Sequence, residues 1–122
     1  MAPNSLFVVD KLFKKLASIF FFFFAVRPEV VAIPESGLIV SETGSTVTLG
    51  CQVTKGSPEP EVSWHRRERK MPSGEDSIRG LSITYTSVTR HHSGVYVCQA
   101  DNGFGDPSTA VLKLDVQREF SK

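Results

Sequence analysis

The sequence predicts an all-β protein, a two-sheet Greek-key β-sandwich. Three observations carry that expectation. Two cysteines, Cys51 and Cys98, bracket the single tryptophan, Trp64, at spacings of 13 and 34 residues. Tyr96 stands two residues before the second cysteine. Short segments of alternating polarity, separated by Gly- and Pro-rich turns, fill the chain from Arg27 onward, and no helical period of useful length interrupts them. In such a sandwich a cysteine pair ties one sheet to the other. The tryptophan packs on that pair, and the tyrosine pins the corner into the second cysteine strand.

Each element follows from local pattern. Residues 29–33 make a first edge strand that Pro34 closes, and residues 37–41 restart it on the opposite sheet. Over residues 46–53, Val47, Leu49, Cys51 and Val53 face inward. Residues 55–60, Lys-Gly-Ser-Pro-Glu-Pro, form a turn. Val62 and Trp64 point inward on the next strand, and residues 71–74, Met-Pro-Ser-Gly, break the chain after it. Leu81, Ile83 and Tyr85 alternate inward, and Val88 follows at a turn. Tyr96, Cys98 and Ala100 line the inner side of the following strand. Residues 101–106 form a hairpin loop carrying Asn102-Gly103 and Gly105, and Ala110, Leu112, Leu114 and Val116 alternate in the last strand.

The chain has 122 residues, 40% of them hydrophobic and 22% charged, which suits one ordinary globular domain. The formal net charge of +1 gives no global field for nucleic acid. Residues 27–117 hold nine Lys/Arg against eleven Asp/Glu, so the sandwich itself is slightly acidic. Two cysteines allow one bridge, and the four-ligand spacing of a structural zinc site is absent. A bridge implies an oxidising compartment; a reduced pair of buried thiols in a cytosolic sandwich is the alternative. A free-thiol assay on the native protein separates them.

Residues 1–26 stand apart as a leader. Lys11, Lys14 and Lys15 precede an apolar run over residues 16–26 that includes five consecutive phenylalanines. That order resembles a secretory signal peptide, and the run is shorter than the ~20 residues a membrane span requires. A second origin fits equally. Phenylalanine codons are all pyrimidine, and Ala25-Val26 can be encoded through GCAG, which is how an intron ends. The leader is then a mis-joined, intron-derived segment. Residues 27–117 form the domain, and residues 118–122 a C-terminal tail.

The run VTRHHSGVYVC over residues 88–98 resembles the immunoglobulin pattern V-x-x-x-D-x-G-x-Y-x-C. The following QADNGFG, residues 99–105, is similar to the A-x-N-x-x-G of the intermediate set, or I-set. With GSPEPEVSW over residues 56–64, Arg66-Arg67 and Met71-Pro72-x-Gly74, residues 28–117 resemble the immunoglobulin domains of neural cell-adhesion proteins of the lachesin, klingon, amalgam and neurotrimin types. The resemblance implies adhesion or recognition at the cell surface, with protein partners that are other immunoglobulin-superfamily proteins or the chain itself, in an extracellular or plasma-membrane setting. It implies no catalytic residue, cofactor, metal or small-molecule substrate, and a membrane connection only through anchor sequence elsewhere. Titin-like intracellular modules and secreted binding proteins are the alternatives. One departure stands out. The family's acid six residues before the second cysteine is His92 here, which leaves its expected ion pair with Arg79 in doubt.

Among chemical groupings, His91, His92 and Ser93 stand together near Asp101, but neighbours in a turn diverge and supply no oxyanion donors. A zinc site from His65, His91 and His92 needs a distant strand and turn to converge. The cluster His65-Arg-Arg-Glu-Arg-Lys70 is compatible with heparin-like polyanions or anionic phospholipid, and equally with a solvated strand end. The sheet face is the stronger expectation. Alternation turns Val95, Val97, Gln99, Val111, Lys113 and His65 outward on one sheet, an aliphatic patch with a polar rim, and no N-x-S/T acceptor exists to shield it with glycan. Strand propensity alone is the plain alternative for those valines.

Overall fold

The computed structural model describes residues 24–118. Eight strands form two sheets: β1 (Val26–Ile33), β2 (Leu38–Glu42), β3 (Val47–Ser57), β4 (Glu61–Arg66), β5 (Ile78–Arg79), β6 (Ser82–Tyr85), β7 (Gly94–Asp101) and β8 (Ser108–Gln117). A three-residue 3-10 turn, Arg90–His92, joins β6 to β7. One sheet has the order β1-β3-β6 and the other β2-β8-β7-β4-β5. The leader expectations for residues 1–23 and the tail beyond residue 118 lie outside the described residues.

The two sheets close on the alternating inward residues. Leu49 of β3, Trp64 of β4, Tyr96 and Cys98 of β7, and Leu112 and Leu114 of β8 are buried in one cluster with Val30, Val47, Val62, Ile83 and Val88. The Cys51–Cys98 disulfide crosses that core from β3 to β7, joining the sheets, with Cα atoms 6.5 Å apart. Trp64 Nε1 donates to Gly80 O at 3.0 Å, so the indole buries its ring and still satisfies its one donor. The Tyr96 hydroxyl donates to His92 O, which fixes the corner into β7. Burial pushes the Tyr96 phenol up to about 12, because the ionised form has no water to meet.

The structure changes or completes the local readings at several points. β1 begins at Val26 and β3 runs on to Ser57, so the expected 55–60 turn is shorter. The two strands keep pairing, Val26 with Ser57, across register shifts on either side of Glu29. Gly56 makes this possible: at φ 143° a Cβ would stand 2.8 Å from Pro60 Cγ. Leu81 is exposed, because it precedes β6 and only Ile83 enters the core from that strand, with Tyr85 half-buried beside it. Met71, which opens the expected break, is buried, since the Met71–Gly74 turn folds back on itself through Gly74 N donating to Met71 O at 2.8 Å. Arg79 pairs with Glu61 at 3.7 Å on the surface rather than with position 92.

His92 takes another role. Its Nδ1 accepts the Thr89 N–H at 3.0 Å, while the Thr89 hydroxyl accepts the His91 N–H at 3.2 Å. The imidazole thus does the capping work of an acid at the start of this turn.

Candidate protein-contact face

The outer face of the five-stranded sheet is built by the register of its strands. Val97 stands opposite Val111 on β8 and opposite His65 on β4. Val95 stands opposite Lys113, and Gln99 opposite Ser63. The six residues expected on this face therefore lie side by side on three adjacent strands. None belongs to the buried core cluster.

Their exposure departs from the expectation at the centre. Val97 is only 6% exposed. It sits on the middle strand of five, with His65 and Val111 directly across on either side and Val95 and Gln99 two residues away along the strand. Directly opposed side chains lie about 5 Å apart, close enough to cover a short valine. The accessible apolar surface is displaced toward the β2 edge, where Val111 is 41% exposed.

Two further residues extend it. β2 pairs parallel with β8, Leu38 opposite Lys113 and Val40 opposite Asp115. Ile39 packs against the core, so Leu38 and Val40 turn outward, 48% and 45% exposed. Gly37 lets β2 lie against β8. At φ 73° its Cβ position is 2.9 Å from Val111 O, and Lys113 N donates to Gly37 O at 2.7 Å. On the opposite side the face turns polar. Glu61, Ser63, Arg79, Gln99 and Asp101 line a depression of about 250 Å³. The face grades from aliphatic at β2 and β8 to charged at β4 and β5.

The chemical groupings resolve into structural roles. Ser93 Oγ accepts the Val116 N–H at 2.9 Å, which ties the turn to β8. His91 Nε2 lies 3.3 Å from Pro72 O. His65 faces Val97 on the outer sheet face, while His91 and His92 sit in the turn. Among the described residues no group of three His, Cys, Asp or Glu side chains is placed to hold a metal, and no helix is long and apolar enough to cross a membrane.

A family model described as the immunoglobulin domain matches residues 27–102. The chain belongs to the immunoglobulin domain family. Its domain is 39% identical over 80 residues to human Fc receptor-like protein 5, covering 65% of this chain and 8% of that protein. It is 35% identical over 91 residues to chicken neuronal growth regulator 1, covering 75% of this chain and 24% of that protein. It is also 34% identical over 99 residues to human MAM domain-containing glycosylphosphatidylinositol anchor protein 2, covering 75% of this chain and 10% of that protein. The chain thus spans a small part of the length of the relatives it matches. Among solved structures, the complex of Dpr2 Ig1-Ig2 with DIP-Theta Ig1-Ig3 contains a chain matched at TM-score 0.67 and 32% identity, over 75% of this chain and 32% of that one. A chain in the complex of Dpr11 IG1 bound to DIP-gamma IG+IG2 matches at TM-score 0.69 and 26% identity, over 76% and 49%. The fold is the immunoglobulin sandwich, and the matched family is not an enzyme family.

Proposed function

We propose that this immunoglobulin domain is a cell-surface recognition module that binds protein partners, either other immunoglobulin-superfamily proteins or itself, through the outer face of its five-stranded sheet. The observation that carries the reading is the contiguous aliphatic surface of Leu38, Val40 and Val111 on adjacent strands, with Lys113 among them and His65, Gln99 and the Glu61–Arg79 pair on the polar side. An apolar centre with a charged rim is how protein-contact surfaces are organised. Solved complexes of structurally similar chains support it, since in them one immunoglobulin-domain protein is bound to another. Assignment to the I-set is supported by β2, which leaves β1 and pairs parallel with the last strand of the opposite sheet. The leader, expected over residues 1–26, is proposed to lie outside the module up to Val26, which belongs to β1, and the tail, residues 118–122, is proposed to lie outside it as well.

An extracellular or cell-surface setting is supported by the disulfide between the sheets and by relatives that include a protein named for its glycosylphosphatidylinositol anchor. The test is association measured by sedimentation and by cell aggregation. Val111→Arg and Leu38→Arg are each expected to weaken binding by about tenfold while leaving the fold intact, because both side chains are exposed. Unchanged association by both variants refutes the face.

A further inference from the structure

A second surface lies at the end of the sandwich where β4 leaves the sheet. Arg66 ends β4, and Arg67, Arg69 and Lys70 follow it; Arg90 and His91 come from the 3-10 turn before β7. Two arginines hold these turns together. Arg66, 5% exposed, donates from Nε to Lys70 O at 2.8 Å and from an Nη to His91 O at 2.7 Å and Ser93 O at 3.3 Å. Arg69 donates to the same His91 and Ser93 carbonyls at 3.2 and 2.7 Å.

Every one of those acceptors is a neutral carbonyl. The donors are satisfied, but the charge is not cancelled. Position 92, where an acid is the family pattern, carries a histidine whose own acceptor is occupied by the Thr89 N–H. The Arg67 and Arg90 side chains are exposed and make no hydrogen bond or ion pair with the described residues. The nearby acids in sequence are Glu68, Glu75 and Asp76. Asp76 pairs with Lys70 at 3.2 Å, and the Ser73 side chain holds Glu75, lowering its pKa. Five Lys/Arg side chains thus converge from two turns on a domain that is acidic as a whole. Arg67, Glu68, Arg69, Gly94 and Val95 line an open depression of about 530 Å³ there.

We propose that this end binds a sulfated polysaccharide chain of the glycosaminoglycan class. Planar guanidinium groups match the oxygens of a sulfate through paired N–H donors. Free arginines on two separate turns, around an open depression rather than a closed pocket, suit a linear polyanion that carries several anions along its length. The buried Arg66 charge beneath them raises the local potential without depending on solvent-exposed pairing, so salt screens it less.

The experiment uses the full 122-residue chain on immobilised heparin, with a sulfonate cation exchanger and phosphatidylserine vesicles as parallel arms. The chain is expected to elute from heparin at higher salt than from the exchanger. Arg67→Ala with Arg90→Ala is expected to weaken binding of a heparin octasaccharide by about tenfold or more and to lower the salt slope by about two, one for each lost contact. Lys55→Ala, which removes a cation paired with Glu29 on the three-stranded sheet, is expected to leave it unchanged. Near-UV circular dichroism of each variant checks the fold. Elution from heparin no later than from the exchanger overturns the proposal. So does equal weakening by Lys55→Ala, full retention by the Arg67/Arg90 double variant, or capture by vesicles alone.

Discussion

The outer faces of the two sheets are made from the same kind of strand and carry different side chains. On the three-stranded sheet the outward positions include Thr48, Gln52 and Thr54 of β3 and Ser82 and Thr84 of β6. Thr48 and Thr84 hydrogen-bond across the strands at 3.0 Å, and the Thr54 hydroxyl donates to Glu29 Oε1 at 3.0 Å. On the five-stranded sheet the outward positions of β2, β7 and β8 include Leu38, Val40, Val95, Val97 and Val111. Threonine satisfies a strand's preference for β-branched residues as well as valine does. Outward positions of β3 and β6 carry threonine and serine where β7 and β8 carry valine. Exposed apolar side chains occur on the side of the other sheet too, at Ile33 and Leu81, but Leu38, Val40 and Val111 stand together on two paired strands, the arrangement that suits a partner.

The largest effect expected is the one that separates the sheets. Cys98→Ala removes the cross-link between β3 and β7 and should cost about 2–5 kcal/mol, measured as a shift in the urea midpoint. Arg66→Met should come next. It leaves the Lys70 carbonyl without its donor and the His91 and Ser93 carbonyls with Arg69 alone, at a cost of about 1–3 kcal/mol. A loss below about 0.5 kcal/mol would mean that water replaces the guanidinium freely.

The comparison itself is sharpened by one substitution on each sheet. Val111→Arg should weaken self- or partner association by about tenfold, roughly the 1.5 kcal/mol of one desolvated valine. Gln52→Arg, on the threonine-rich sheet, should leave association unchanged. Both should unfold within about 0.5 kcal/mol of the wild type, as surface substitutions do. Val97→Arg behaves differently: its covered site makes it a stability variant first. Equal losses of association from Val111→Arg and Gln52→Arg would assign both to non-specific charge and remove the distinction between the faces.

How much of this was legible in the sequence depends on whether an argument needs one strand or two. Inward and outward sides followed from alternation along each strand, so Trp64, Tyr96, Cys98 and Leu112 were placed from the chain alone. The six residues of the sheet face were grouped the same way. What a single strand cannot reveal is its neighbours. Val97 was expected to be open with His65 and Val111 on the same sheet; what alternation does not give is the register, which sets those two directly across from it on either side. Leu38 and Val40 joined the face only through the parallel pairing of β2 with β8. Met71 was hidden by its place next to Pro72, where the signal for a turn outweighed that for burial. The acid expected at position 92 was visibly missing, yet the carbonyl-lined arginine pair beside it needed three-dimensional contact between turns 25 residues apart.

The smallest effect expected is a pH dependence from that same turn. Burial, the main cause, lowers the pKa of His92 below its ordinary 6.5, and the His91 and Arg66 charges push in the same direction. The Tyr85 ring packs 5.0 Å from the imidazole and covers it from β6. The unfolded chain therefore takes up this proton more readily than the folded one. Stability is fully present above pH 6.5 and declines as pH falls through that value toward the lowered one. A proton on Nδ1 also ends its role as acceptor for the Thr89 N–H. Glu75, whose pKa the Ser73 side chain lowers from its ordinary 4.5, stays ionised throughout this window. The comparison variant is His92→Asn, whose amide oxygen can accept the same bond and does not titrate. Urea midpoints at pH 7.5 and 5.5 should fall further for the wild type than for His92→Asn. If the two fall in parallel, the cap at Thr89 is indifferent to protonation of His92.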